Sequence, residues 1–385
     1  MSLQCTPQYS ECRSSGKPAM TVLATFQEVV SDGIRRGLHT CVQVCVLLDG
    51  REYFNGAFGE ADPGRELSSE DLMPWRSAGK PLTALLILKQ LHARGIPLST
   101  PLASLLPEAA STDKAAISLL SLLIHTAGFP QIDSGWPQVS WEQSVQRVLC
   151  EPCGLPSGTA AYHPQSSWFL LGEILRRLAG GSLSFADLLR RDLLEPLGLT
   201  NVYCGIPEER LSGLANRLPQ LYERERGQLV PAAWGTPAWL TQSSPGSNLR
   251  GPVKQLARFM QLLLSEGLTE DGREFVPAAV VRAMTSRQRV GAYDQTLQHI
   301  VDFGLGVICN SNTWGADTVP YGFGRWSSSG AFGHGGAQCA LAMCDPERRL
   351  AVAWAANGFC GEAQHQRRNR MLQDALYRDL GFADQ

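Results

Sequence analysis

Residues 337–357 read AQCALAMCDPERRLAVAWAAN. Two runs, apolar at almost every position, flank Asp345-Pro346-Glu347-Arg348-Arg349. Pro346 presets φ for a turn, so the stretch predicts a β-hairpin. Strands that lack polar alternation imply a sheet covered on both faces. A matching device lies near the other end, where CVQVCVLL (41–48) and REYFNGAFG (51–59) flank Asp49-Gly50. Asp-Gly tolerates positive φ at both central positions of a tight turn, which makes it the strongest short-range hairpin signal. Ahead of it, residues 21–38 carry Val22, Phe26, Val29, Val30 and Ile34 at spacings of three and four, a helical pattern.

Between the hairpins the sequence reads as mostly helical. Residues 82–94 form a dense apolar run. Residues 166–179 place Leu170, Leu171, Ile174, Leu175 and Leu178 on one stripe, with Glu173, Arg176 and Arg177 opposite. Residues 252–264 repeat the device with Val253, Leu256, Ala257, Met260, Leu263 and Leu264, Pro252 suiting the first helical position and Gly267 the stop. The expected fold is therefore α/β (α+β): an antiparallel sheet built from N- and C-terminal segments and flanked by helices, plus a mainly helical second lobe. Residues 1–20 are expected to be a disordered tail, 21–80 with 300–385 the sheet lobe, and 81–299 the helical lobe. A cleft between lobes is a usual place for a small-molecule site.

Composition narrows the function. The 385 residues are 44% hydrophobic and 18% charged, ample for a core and unlike a disordered chain. Lys and Arg number 34 against 36 Asp and Glu, a net charge of −2 that lacks the footprint of a nucleic-acid binder. No stretch approaches the length of a membrane-spanning helix, and the polar first twenty residues do not read as a secretory signal. Eleven cysteines, paired in spacing only at Cys150 and Cys153, suit free thiols in a reducing compartment. The expectation is a cytoplasmic protein that needs no metal or organic cofactor, with its oligomeric state left open.

The chemistry is expected at Ser77-Ala78-Gly79-Lys80. There is no G-x-S-x-G elbow, Walker A sequence, HExxH or GxGxxG. S-x-x-K sets hydroxyl and ammonium on one face of a helix's first turn. A lysine near a cationic helix end, partly desolvated, has a depressed pKa and can take the serine proton. Pro81 is tolerated there because its missing N–H had no intrahelical partner. Two further elements are Tyr162-His163-Pro164, just before the amphipathic stretch 166–179, and His334-Gly335-Gly336, at the head of the strand AQCALAMC. A nucleophile, a base, a phenol and a glycine-lined strand are the parts that acyl transfer through a serine ester requires.

The order S-x-x-K, Tyr-x-x, glycine-rich strand resembles the serine β-lactamase and penicillin-binding superfamily. Within it the likeness is strongest to class C β-lactamases, related carboxylesterases and the β-lactamase-like proteins of eukaryotes. It is carried by WRSAGKPLTALLILKQLHARGIPL (75–98), LLIHTAGFP (122–130), AYHPQSSWFLLGEILRRLAGGS (161–182), DFGLG (302–306) and FGHGGAQCALAMCDPERRLAVAWAANG (332–358). The resemblance implies a β-lactamase/transpeptidase-like fold. It makes Ser77 the acylated nucleophile, Lys80 its proton acceptor or relay, and Tyr162 a hydrogen-bond partner of both that shuttles the proton to the leaving group. It makes the N–H groups of Ser77 and Ala337 an oxyanion hole, and sets His334, Gly335 and Gly336 where the family has Lys-Thr-Gly.

Two departures bear on substrate. Pro164 stands where the β-lactamase pattern has Asn, and a proline ring donates no amide hydrogen bond. His334 replaces a fixed lysine cation and is mostly neutral near pH 7. Both weaken the grip on an anionic amide and leave ester attack untouched, so a small-molecule esterase ranks first. A β-lactamase or D-amino-acid peptidase-like amide hydrolase is the alternative, and a non-catalytic binding scaffold the third. His125 and His163 read as structural, Trp75 and Arg76 as substrate wall or packing, and one of Trp234, Trp239 and Trp326 as a substrate wall. The charge run 222–226 reads as a solvated loop.

Overall fold

Asp49 and Gly50 adopt φ of 52° and 72°, and the turn they make joins β1 (Cys41–Leu48) to β2 (Arg51–Asp62). The structure is a computed structural model that describes residues 22–383; the tail expected over 1–20 lies outside the described residues. After β3 (Arg65–Glu66), four more strands return from the distal part of the chain: β4 (Ile308–Cys309), β5 (Phe332–Gly336), β6 (Ala340–Asp345) and β7 (Leu350–Ala356). The two hairpins meet where β7 pairs antiparallel with β1, Val44 opposite Trp354. The result is a seven-stranded antiparallel sheet in the order β4-β5-β6-β7-β1-β2-β3. This is the expected sheet of N- and C-terminal segments.

The helices that position the site are α1 (Ala24–Arg35), α2 (Lys80–Ala93), α3 (Ser166–Leu178), α4 (Val253–Leu264) and α5 (Glu362–Asp379). Both sheet faces are covered, which explains the continuous apolar runs, and the period-two alternation survives as a difference in size. Val42, Val44 and Val46 of β1, with Leu350, Val352 and Trp354 of β7, face a core shared with Phe26, Val30, Leu372 and Leu376 of α1 and α5. Cys41 and Cys45, with Ala351, Ala353 and Ala355, face the other way. Their small side chains let α4 lie against β1, β6 and β7. That second core continues without a break through Leu256 and Met260 of α4 into Leu85 of α2 and Leu171 of α3.

Four local readings need correction. His334-Gly335-Gly336 ends its own strand, β5, and β6 begins only after the turn 337–339, closed by Cys339 N–H donating to Gly336 O at 3.0 Å. Pro252 sits at the cap of α4, with ψ of 133°, and not within its first turn. The span 222–226 is no loop: Tyr222–Glu225 pairs with Gln228–Pro231 around Arg226-Gly227, whose positive φ values of 47° and 89° fit a tight hairpin turn. And α4, drawn from inside the span expected to be the helical lobe, packs on the sheet. Among the described residues no helix is long and apolar enough to cross a membrane.

Candidate active site

Ser77 does not lie on α2 itself. It belongs to a 3-10 turn, Arg76–Gly79, that feeds directly into the helix at Lys80. Three residues per turn eclipse positions i and i+3, and this is what aligns the two side chains. Lys80 Nζ stands 2.9 Å from Ser77 Oγ. The turn is held by a small sheet in which Met73–Pro74 pairs with Leu249–Gly251, by Trp75 N–H donating to Leu249 O at 3.0 Å, and by Trp75 Nε1 donating to Gly251 O at 2.9 Å. Trp75 is thus packing and not substrate wall.

Lys80 is fully buried and its other two contacts are carbonyls, Gly246 O at 2.6 Å and Pro164 O at 2.8 Å. Burial, with the Arg76 charge adding to it, drives its pKa well below the ordinary lysine value. A neutral amine spends its two N–H bonds on the two carbonyls and turns its lone pair toward Ser77 Oγ–H. That is the geometry of a base.

Tyr162 enters just ahead of α3. Asp294 Oδ1 accepts its backbone N–H at 3.0 Å, and a buried ion pair between Asp294 and Arg289 at 2.8 Å fixes the carboxylate. The phenol oxygen is buried and meets no partner in hydrogen-bond geometry. Burial raises its pKa, and the Ser77 hydroxyl, the largest effect opposing that rise, lies within reach of it. The ring centroid is 5.3 Å from Lys80 Nζ. The phenol therefore stays protonated and has a proton to give.

β5 closes the remaining side. A Cβ on Gly336 would stand 2.2 Å from Trp75 O, and one on Gly335 would stand 2.2 Å from Tyr321 Cδ1, so only glycines let the nucleophile turn and the 321 loop approach this strand. His334 Nδ1 contacts Gly335 O at 2.7 Å, which assigns the ring proton to Nδ1 and leaves Nε2 a bare, buried acceptor. Burial lowers its pKa to about 3. Ser77, Tyr162, Pro164, His334, Gly335 and Ala337 all line one cavity of about 470 Å³.

The same cavity takes residues that sequence reasoning passed over: Gln165, Leu297, Ile308, Tyr321 and Glu362. They come from loops, two helix starts and the short strand β4, with no spacing signal to mark them. Of the tryptophans, Trp234 lines the cavity, backed by Trp239 at 4.1 Å and by Trp136, while Trp326 packs in the α1/α5 core. His125 Nδ1 accepts His163 N–H at 3.1 Å and His163 Nε2 accepts Phe129 N–H at 3.3 Å; both brace backbone around Tyr162. Among the described residues no cluster of His, Cys, Asp and Glu could hold a metal ion.

Comparison with known proteins gives the same picture. A family model described as Beta-lactamase matches residues 26–377. Esterase/beta-lactamase LipL of Mycobacterium tuberculosis is 24% identical over 343 residues, covering 82% of this chain and 76% of its own. A penicillin-binding protein homolog from Caulobacter crescentus superposes with a TM-score of 0.73 at 24% identity, over 93% of this chain and 97% of that one. A family VIII carboxylesterase superposes with a TM-score of 0.73 at 22% identity, over 95% and 99%.

Proposed function

Because the chain belongs to the Beta-lactamase family as one of its serine hydrolases, we propose that it cleaves esters of small substrates through an acyl-enzyme on Ser77. The observation that carries this reading is the 2.9 Å contact between Ser77 Oγ and a fully buried Lys80 that has no carboxylate partner among the described residues. Lys80 takes the Ser77 proton as Oγ attacks the ester carbonyl carbon. The tetrahedral oxyanion sits between the N–H groups of Ser77 and Ala337, each such donor being worth about 10²–10³ in rate. The alcohol leaves with a proton from Tyr162, which Lys80 replaces. Water then attacks the acyl carbonyl, gives its proton back through the same pair, and frees Ser77 and the carboxylic acid. The neutral His334 and the prolyl ring at 164 offer a β-lactam neither a fixed cation nor a side-chain amide, which favours esters over lactams. The mycobacterial relative is named for both activities, an esterase/beta-lactamase, so the choice of esters rests on these two residues.

Turnover of p-nitrophenyl butyrate and of nitrocefin, each by wild type and Ser77→Ala, tests it. Wild type should favour the ester, and Ser77→Ala should lose at least about 10³-fold. Unchanged ester turnover in the variant, or nitrocefin turnover above the ester's, would remove the reading.

A further inference from the structure

The cavity holds a cation that the mechanism does not use. Arg76, the residue before the nucleophile, lines the cavity wall, and its Nε and Nη1 are buried with no hydrogen-bond partner. Among the described residues no carboxylate lies within ion-pair distance of it, whereas half of the described arginines have one. Its guanidinium carbon stands 2.9 Å from the centroid of the Trp234 ring and 5.4 Å from that of Phe359, so the group rests on Trp234 with Phe359 beside it. The backbone is constrained as well, with φ at 51° for a residue that has a full side chain. Burial lowers its pKa to about 10, which leaves it charged at neutral pH. A second guanidinium, Arg250, is 3% exposed, also has an unpartnered Nε, and acts on Arg76 as a like charge.

Two guanidinium groups without a counter-ion, Arg250 buried and Arg76 half-buried, are an electrostatic cost that a bound anion removes. Glu362, the acid on the same cavity, does not serve: the Tyr321 hydroxyl holds its oxygens at 2.9 and 3.0 Å and Gln366 Nε2 holds one at 3.2 Å. Glu223 and Glu225 line an adjoining groove that Arg76 also borders, and neither comes within ion-pair distance of it. We propose that Arg76 binds a carboxylate carried by the ester substrate, so that the preferred substrates are half-esters of dicarboxylic acids. The planar fork matches a carboxylate, and the aromatic wall keeps it oriented. The cation missing at His334 is thereby supplied by the residue that precedes the nucleophile.

This rests on the esterase reading, and the experiment separates the two. The kcat/KM ratio of mono-p-nitrophenyl glutarate to p-nitrophenyl valerate is measured for wild type and Arg76→Gln, with glutarate and valerate as inhibitors of valerate-ester turnover by wild type. The wild-type ratio should exceed one and fall roughly tenfold or more in Arg76→Gln, the scale of one charge-assisted hydrogen bond. Glutarate should compete where valerate does not, an arm that needs no variant to fold. A wild-type ratio at or below one, a ratio unchanged by the substitution, or equal inhibition by both acids would overturn the proposal. If wild type turned over no ester, the function would fall; a thermal shift with glutarate exceeding that with valerate would still support the anion site, and equal shifts would end it.

Discussion

Lys80 decides the pH behaviour. Its pKa is depressed in the fold because burial disfavours the charged form, so the active species is the free amine. Activity should rise as pH increases through that lowered value and reach its plateau well below the ordinary lysine pKa. An acid limb near the ordinary lysine pKa, with activity still climbing above pH ~9, would contradict this. The same shift couples to stability. Between the lowered pKa and the ordinary one the unfolded chain binds a proton that the native chain does not, so stability rises with pH through that window, and Lys80→Met should flatten the slope while abolishing turnover. Thermal unfolding against pH reads the first and ester hydrolysis the second. The pairing of Ser77 with Lys80 was legible in the sequence because it is local, three residues in one turn. The carbonyls that hold Lys80, Gly246 O and Pro164 O, were not, because long-range packing alone brings those backbone oxygens to the amine. Nor was Asp294 as the anchor of Tyr162, 132 residues away.

At the scale of elements, β5 and the nucleophile turn are pressed together. Gly336→Ala would drive its Cβ to within 2.2 Å of Trp75 O and force the turn away from the strand. A displacement near 1 Å at a reacting group costs about 10² in rate, so Gly336→Ala should lose that much kcat/KM while the folded fraction, read by circular dichroism, stays high. Full activity in the variant would mean that the approach is not required. The terminal helices lock in a different way. The start of α1 has no side-chain cap of its own, and Asp379 at the end of α5 accepts the N–H groups of Thr25 at 3.0 Å and Phe26 at 2.8 Å. Asp379→Ala should cost about 0.5–2 kcal/mol in denaturant unfolding, the usual worth of a helix cap. Both hairpins and α1 to α4 could be read from turn chemistry and periodicity. The boundary between β5 and β6 could not, because FGHGGAQCALAMC is apolar or glycine nearly throughout and the turn at 337–339 is set by what Gly335 and Gly336 touch.

Over the whole molecule, neutral histidines are built into the interior. His39, His163 and His334 are pushed by burial to about 3, and His125 and His365 well below their ordinary value. Each takes up a proton on unfolding below pH ~6.5, so each contributes stability that declines by up to roughly 1.4 kcal/mol per pH unit as pH falls from there toward the native pKa. The melting temperature should drop steadily between pH 6.5 and 5, and a flat profile would show that the rings are solvated. The sheet that joins the N- and C-terminal segments was legible because Asp49-Gly50 marks one hairpin and the other lacks polar alternation. The wall of Trp136, Trp234 and Trp239 was not, because only the closed fold assembles it. The central claim is that Ser77 carries the acyl group. Intact-mass analysis of the wild-type protein after brief exposure to a fluorophosphonate probe, followed by peptide mapping, tests it most directly. The account expects one adduct, on Ser77, absent from Ser77→Ala; no adduct, or an adduct on a different residue, would contradict it.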